Sequence, residues 1–415
     1  MIVNFKKNKP FIEKVCIDDI IFSQNTPIYI YSQKNIEQTY RELSKALSSE
    51  IFFAVKSNSN QAILKIIKNC GAGADVVSAG ELERSIVAGF DPNKIIFEGV
   101  GKSNEDIEYA IKKNIRLINV ESFHEIKLIN EIGNKFKKII NIGIRLNPNI
   151  DGNTLEKIST GKKTDKFGIG IEKLSLIISE IKNYKNINVK GISCHIGSQI
   201  NDIKVFENVF STMKRTADEF ISSGIQLKHV DLGGGLAVNY ESNKNNLDIK
   251  NIGKLVNSFF LNESYKVSFE PGRYLVAKSG IIITKILNVK KNGSINFLIA
   301  DAGMHTLIRP AMYGAEHRIE ALNNHEEKEI YTVAGPICES SDILSKNILL
   351  SKQKVNNYLI IHDVGAYGAV MSSNYNSRGI PAEILVNNDN FFIIREEEKI
   401  TDIIKRDKIP SWISN

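Results

Sequence analysis

A lysine, a histidine, a run of three glycines and a Glu-Pro-Gly-Arg turn each follow a short apolar stretch in this chain. In EIFFAVKSNSN, five apolar residues, Ile51 to Val55, run straight into Lys56 and then give way to small polar residues. Such a run reads as a buried strand, with Lys56 half desolvated at its end. Burial disfavours the ammonium form and makes the amine a usable nucleophile towards a carbonyl, which is imine chemistry. A lone lysine more commonly runs its stem out of a strand end and keeps its amine in water, so only its company decides between the two. His195, in CHIGSQI, offers a flat ring that can stack on another. Gly233 to Gly235, in VDLGGGL, let backbone N–H groups close on a phosphate. Glu270, in FEPGR, can keep a pyridine nitrogen protonated. Together these groups meet the needs of pyridoxal phosphate.

The elements that must position them are legible as an alternation. Eight short apolar runs, FFAV, ADVV, IIFEG, LINV, IINIGIRLN, GISCHIG, HVDLGGG and VSFEPG, lie between Phe52 and Gly272. Amphipathic stretches such as NQAILKIIKN, NEDIEYAIKKN and KVFENVFSTMKRTADEFISSG separate them. This is the pattern of a (β/α)8 barrel of TIM type, in which functional residues stand just past the C-terminal strand ends. The residues found there are Lys56, Ser78, Glu98, Glu121, Arg145 with Asn147, His195 with Ser198, Gly233 to Gly235, and Glu270 to Arg273. After Ala277 the pattern changes to IIITKILNV, INFLIA, EIYTVAG, YLIIHDV, AEILV and FFIIR, the signature of a mostly β domain. A chain of 415 residues exceeds what one core usually holds. The expected organisation is an N-terminal segment, 1–32; the barrel, 33–278; and the β domain, 279–415.

Other classes are excluded by what is missing. The net charge of +7 comes from scattered lysines without interleaved aromatics, which does not make a nucleic-acid face. No apolar window is long enough for a membrane span, and MIVNFKKNKPFIEKV has no signal-peptide core, so a cytoplasmic protein is expected. Cys16, Cys70, Cys194 and Cys338 form no CxxC pair, and HEEKE at His325 lacks a second histidine, so no metal site is expected. FEGVGKS ends like a phosphate-binding loop, but Ile96 occupies the place of its first glycine.

Beyond these single motifs, FFAVKSNSN, GADVVSAGELERSIVAG, KFGIGI, CHIGSQI, VDLGGGL, FEPGR, GPICESSDIL and DVGAYGAVMSSNYNSR, in this order from about Pro27 to Val386, resemble the diaminopimelate decarboxylases. These belong to the alanine-racemase-like, fold type III pyridoxal phosphate enzymes. The departures are Ser57 where alanine is frequent, Ala237-Val238 after GGGL where Gly-Ile is usual, and His305 where asparagine is common. The resemblance implies that the N-terminal segment joins the β domain, that Lys56 binds the cofactor covalently and that His195 stacks on its ring. It also implies that Ser198, Gly234, Gly235, Glu270, Pro271, Gly272, Arg273 and Tyr367 hold phosphate and ring, with Glu270 at the pyridine nitrogen. Asp75 and Arg145 fit a cofactor role and a structural one about equally well.

For the substrate, the resemblance points to LIRPAMYGA and ICESSD. Arg309 and Tyr313, four apart on a helical turn, would join Arg273 in clamping a carboxylate, and Tyr367 would line the same pocket. Glu339 would meet a distal ammonium, and Cys338 would deliver the final proton from a loop of a second subunit in a homodimer. Related ornithine and arginine decarboxylases tend to carry aspartate after the corresponding cysteine. Glu339 and the arginine clamp instead suit meso-diaminopimelate, whose far end bears both an ammonium and a carboxylate; the product is L-lysine. Two alternatives are a decarboxylase of carboxynorspermidine, ornithine or a carrier-bound amino acid, with a different loop around DGNTLEKISTGKKTDKFG, and a non-catalytic relative that binds the cofactor. A non-catalytic relative is expected to lose Lys56 or Cys338, and both are present.

Overall fold

The computed structural model describes residues 2–7, 9–152, 160–240, 247–323 and 326–413. His325 and residues 153–159 of the DGNTLEKISTGKKTDKFG stretch lie outside them. The chain forms two compact units, one of Glu37–Leu275 and one of Met1–Ile36 with Val276–Asn415.

In the first unit eight parallel strands close on themselves. They are β1 (Glu50–Ala54), β2 (Gly73–Val76), β3 (Ile95–Phe97), β4 (Leu117–Val120), β5 (Ile140–Asn147), β6 (Ile187–Ser193), β7 (His229–Asp231) and β8 (Lys266–Phe269). Each pairs with the next, β8 pairs with β1, and the ring is complete. The sequence enforces short returns by placing a capping side chain soon after most strands. Asn60, Ser78, Ser103, Ser122, Asp202 and Asp248 each accept a backbone N–H from the first turn of the helix that follows. Ser103 and Asp106 complete a reciprocal capping box at Asn104–Lys113. Helix starts are thus held at the C-terminal mouth of the barrel.

The barrel's interior is less apolar than its strands suggest. A small apolar plug, Phe52, Ile96 and Leu117, fills part of it. The rest is polar: Asp75, Glu98, Asn119, Ser193, His229, Asp231 and Ser268 are all buried. Lys102, from the failed phosphate-loop motif, has a structural fate. Its side chain is fully buried and donates to Gly99 O at 2.6 Å, Asn119 O at 2.7 Å and Glu125 Oε1 at 2.8 Å.

The second unit is mostly β, with its longest strand, Gly280–Asn292, at the centre. That strand pairs with Ile295–Ala300, with Tyr358–Ile361 and with Ile28–Ser32. Ile28–Ser32 is flanked on its other edge by Ala382–Asn387, so the N-terminal segment is a central strand of this sheet. Val3–Lys6, Lys9–Ile12 and Val15–Cys16 add a small antiparallel sheet. Ile12, Ile17, Ile28, Ile30, Ile281, Ile283, Ile360 and Ile384 meet in one core. The fold is therefore the barrel plus β domain, with the N-terminus in the latter, that the sequence leads one to expect.

Candidate active site

Strand β1 ends at Ala54, and a single 3-10 turn, Val55–Ser57, carries Lys56 over the barrel mouth. Its side chain is 39% exposed, and Nζ lies 3.3 Å from Asp75 Oδ2, at the end of β2. Asp75 is itself buried. Burial raises its proton affinity, and the Lys56 ammonium beside it works in the opposite direction.

His195 follows β6, with its ring over the glycine run. The Gly234 N–H donates to His195 Nδ1 at 3.1 Å, so that nitrogen is an acceptor. Desolvation, then the positive charges of Lys56 and Arg145, push its pKa well below the ordinary histidine value. Its imidazole is therefore neutral and presents a flat face rather than a charge. The three glycines are required by their neighbours: a Cβ on Gly233, Gly234 or Gly235 meets the carbonyl oxygen of Cys194, Glu270 or Gly197 at 2.4 Å in each case. Gly233 and Gly235 also adopt φ of 71° and 78°. Because Gly233 and Gly234 commit their N–H groups to Asp231 Oδ1 and His195, the cradle at this turn falls to Gly235.

Glu270 follows β8 and is buried. Its Oε1 has no hydrogen-bond partner among the described residues. Burial, followed by the charges of Asp231, Asp75 and Glu98, raises its pKa well above the ordinary carboxylate value. A group that brings a protonated ring nitrogen to that oxygen supplies what the protein lacks there. Pro271 and Gly272 are buried in the same turn, and a Cβ on Gly272 comes within 2.8 Å of Ser57 Oγ. Arg273 opens the next short helix and donates from Nε and Nη2 to Ser198 Oγ, both at 3.3 Å, and from Nη1 to Tyr240 OH at 3.2 Å. Ser198, Gly235, Gly272 and Arg273 thus gather hydroxyl, backbone and guanidinium donors suited to a phosphate, and the unpartnered Glu270 oxygen suits a pyridinium. The residues present fit pyridoxal phosphate.

Arg145 is buried and donates to Glu121 Oε1 at 2.9 Å, with Glu98 Oε2 at 3.6 Å and the Phe167 ring 4.9 Å from its guanidinium carbon. Glu121 also accepts N–H groups from Gly99 and Gly168. The sequence alone assigns no role to Tyr240, Asp231 or Ser268. Tyr240 lies close after the glycine run and outside any strand, whereas Asp231 and Ser268 lie inside β7 and β8, where a single polar residue gives no separate signal.

The remaining candidates belong to the second unit. Arg309–Tyr313 is a five-residue helix, as its spacing suggests, with Arg309 buried. Arg309 Nη1 lies 2.8 Å from His317 Nε2. Cys338 and Glu339 are exposed. The Cys338 N–H donates to Asn376 Oδ1 at 3.1 Å, and Glu339 Oε1 accepts from Tyr375 OH at 2.6 Å. Tyr367 has φ of 55°, rare for a bulky residue and of the kind concentrated at functional sites. Among the described residues no cluster of three or more His, Cys, Asp or Glu can hold a metal ion, and no helix is long and apolar enough to cross a membrane.

A closed parallel barrel with an amine, a neutral imidazole, a glycine cradle and a buried acid at its C-terminal mouth defines a fold type III pyridoxal phosphate enzyme. The model of the pyridoxal-dependent decarboxylase pyridoxal-binding domain matches residues 33–277. The diaminopimelate decarboxylase of Haemophilus influenzae is 39% identical over 96% of this chain and 97% of its own length. That of Archaeoglobus fulgidus is 37% identical over 97% of each. A crystal structure of the M. jannaschii diaminopimelate decarboxylase in co-complex with L-lysine superimposes with a TM-score of 0.93 at 35% identity, covering 98% of both chains. The chain belongs to the diaminopimelate decarboxylase family of pyridoxal-dependent decarboxylases.

Proposed function

We propose that this chain converts meso-2,6-diaminopimelate to L-lysine and carbon dioxide with pyridoxal phosphate, the closing step of lysine biosynthesis. The observation that carries this reading is the assembly of Lys56, His195 and Glu270 at one barrel mouth, in a chain that matches diaminopimelate decarboxylases over nearly its whole length.

When bound, the cofactor supplies an electron sink for the pair left on the α-carbon as carbon dioxide departs. Lys56 holds it covalently, and Asp75 orients the amine. Glu270 keeps the ring nitrogen charged, and the negative charges of Asp231, Asp75 and Glu98 around it favour a cation at that nitrogen. His195 stacks on the ring without adding charge. Ser198, Gly235 and the Glu270–Arg273 turn, with Tyr367, secure the phosphate and ring, while Gly234 contributes by orienting His195. Arg309 and Tyr313, with Arg273, hold the distal carboxylate, and Glu339 holds the distal ammonium. Cys338 returns a proton to the α-carbon.

The exposure of Cys338 and Glu339 within their own unit supports a homodimer in which this loop completes the site of a second copy. Four free cysteines suit a reducing cytoplasm.

Arg309→Ala tests the substrate. Loss of one charge-assisted hydrogen bond removes roughly 1.5–3 kcal/mol, so kcat/KM for meso-diaminopimelate is expected to fall at least about tenfold. The measurement is carbon dioxide release from a panel of diamino acids. An unchanged kcat/KM contradicts the assignment of a distal carboxylate, and a preference for ornithine or a carrier-bound amino acid favours the corresponding rival.

A further inference from the structure

We infer that Arg116, His229, Ser268 and Asp231 form one directed hydrogen-bond relay, running through the barrel interior, that fixes the Gly233 turn for the phosphate end of the cofactor. This rests on the cofactor reading above and adds four positioning residues to it. Arg116 immediately precedes β4, and His229 is the first residue of β7, so the relay begins at the N-terminal end of the barrel. Asp231, the last residue of β7, brings it to the mouth.

The direction of each bond follows from the one before. A guanidinium only donates, so Arg116 Nη2, 3.3 Å from His229 Nδ1, makes that nitrogen an acceptor. His229 then carries its proton on Nε2 and donates it to Ser268 Oγ at 3.0 Å. The single hydroxyl proton of Ser268 is left for Asp231 Oδ2. Asp231 Oδ1 accepts the Gly233 N–H at 2.7 Å. Reversing the chain would set an N–H of His229 against an N–H of Arg116. The first donor is itself anchored: Arg116 Nη2 lies 2.8 Å from Glu50 Oε2, and Lys266 Nζ lies 3.3 Å from Glu50 Oε1.

Everything downstream depends on how Gly233 is set. Its carbonyl accepts the Glu270 N–H at 2.8 Å. The next amide, of Gly234, is aimed at His195. The third, of Gly235, is the one at this turn left to the phosphate. Asp231 and Ser268 are 0% exposed and His229 is 2% exposed. Apolar side chains of similar volume would fill that space at least as stably, so what a satisfied polar chain adds is one unique arrangement.

The test compares pyridoxal phosphate with pyridoxal, which lacks the phosphate, as ligands of the full chain freed of cofactor, by visible absorption and fluorescence quenching. Ser268→Ala breaks the relay at its centre. The Kd for pyridoxal phosphate is expected to rise at least about tenfold while that for pyridoxal changes less than about twofold. Arg116→Leu, which removes the first donor far from the ligand, shifts the same preference by a smaller factor. Arg116→Gln, which keeps a donor, restores it. Equal weakening of both ligands by Ser268→Ala, or no change in either, overturns the proposal. Should Ser268→Ala fail to fold, the Arg116 pair decides, and identical preferences for the Leu and Gln variants overturn it. A wild-type chain that binds neither ligand sinks the cofactor reading itself.

Discussion

Lys56→Ala is expected to abolish turnover while both units remain folded. The side chain is 39% exposed and lies on a turn rather than in the core, so its removal opens no cavity. It does strip the buried Asp75 of its cation. Because burial already raises the proton affinity of Asp75, the carboxyl takes up a proton instead of leaving a bare charge. Turnover is lost because the variant has no amine at this position to bind the cofactor. Cys338→Ala is expected to be nearly inactive for a separate reason, loss of the returning proton. If two copies share each site, exchanging subunits between the Lys56→Ala and Cys338→Ala proteins makes half the dimers mixed, each with one intact site. Activity then returns to about a quarter of wild type. Subunit exchange without recovery places Lys56 and Cys338 in one site of a single chain.

Glu270→Gln separates function from stability. Glutamine has the shape of glutamate but cannot keep a ring nitrogen charged, so kcat is expected to fall by about 10²–10³-fold, the scale of losing one electrostatic contact to developing charge. The cofactor-free chain responds in the opposite sense. Glu270 titrates well above an ordinary carboxylate in the folded state because it is buried beside Asp231, Asp75 and Glu98. Between the unfolded and folded values the native chain holds a proton that the unfolded chain has lost, so this group's contribution to stability falls as pH rises through that interval. Glutamine removes the dependence. The variant without cofactor is expected to melt higher than wild type at pH 8, by about 2–4 °C per kcal/mol recovered, with the gap closing below about pH 4.5. Thermal melts at the two pH values check this; a lower melting temperature for the variant at pH 8 would mean that the Glu270 charge is already compensated in the cofactor-free chain.

The sequence discloses the barrel because its apolar runs and caps act locally. FFAV, IIFEG and LINV fall on β1, β3 and β4, and the stretch NEDIEYAIKKN forms the helix Asn104–Lys113, capped by Ser103. The β domain is read less completely. Ile343–Ser351, exposed at Lys346, Asn347 and Leu349, lacks the alternation of a half-buried strand although it pairs with the neighbouring Lys328–Ala334, and the three-residue strand Ile319–Ala321 depends on Tyr358–Ile361, distant in sequence. The same limit applies to the site. Lys56, His195 and Glu270 stand out because each ends an apolar run. Asp231 and Ser268 sit inside such runs, and their meeting requires β7 and β8 to lie side by side. Tyr240 gains meaning only when Arg273 reaches it from another strand end.

The most direct test of the account is product analysis with the purified, cofactor-loaded wild-type chain and meso-2,6-diaminopimelate as sole substrate. The account predicts L-lysine and carbon dioxide in equal amounts, with a far lower rate from ornithine, arginine or lysine offered in its place. A chain that shows the visible absorption of bound pyridoxal phosphate yet releases carbon dioxide faster from any of those amino acids, or from none of the four, would contradict it.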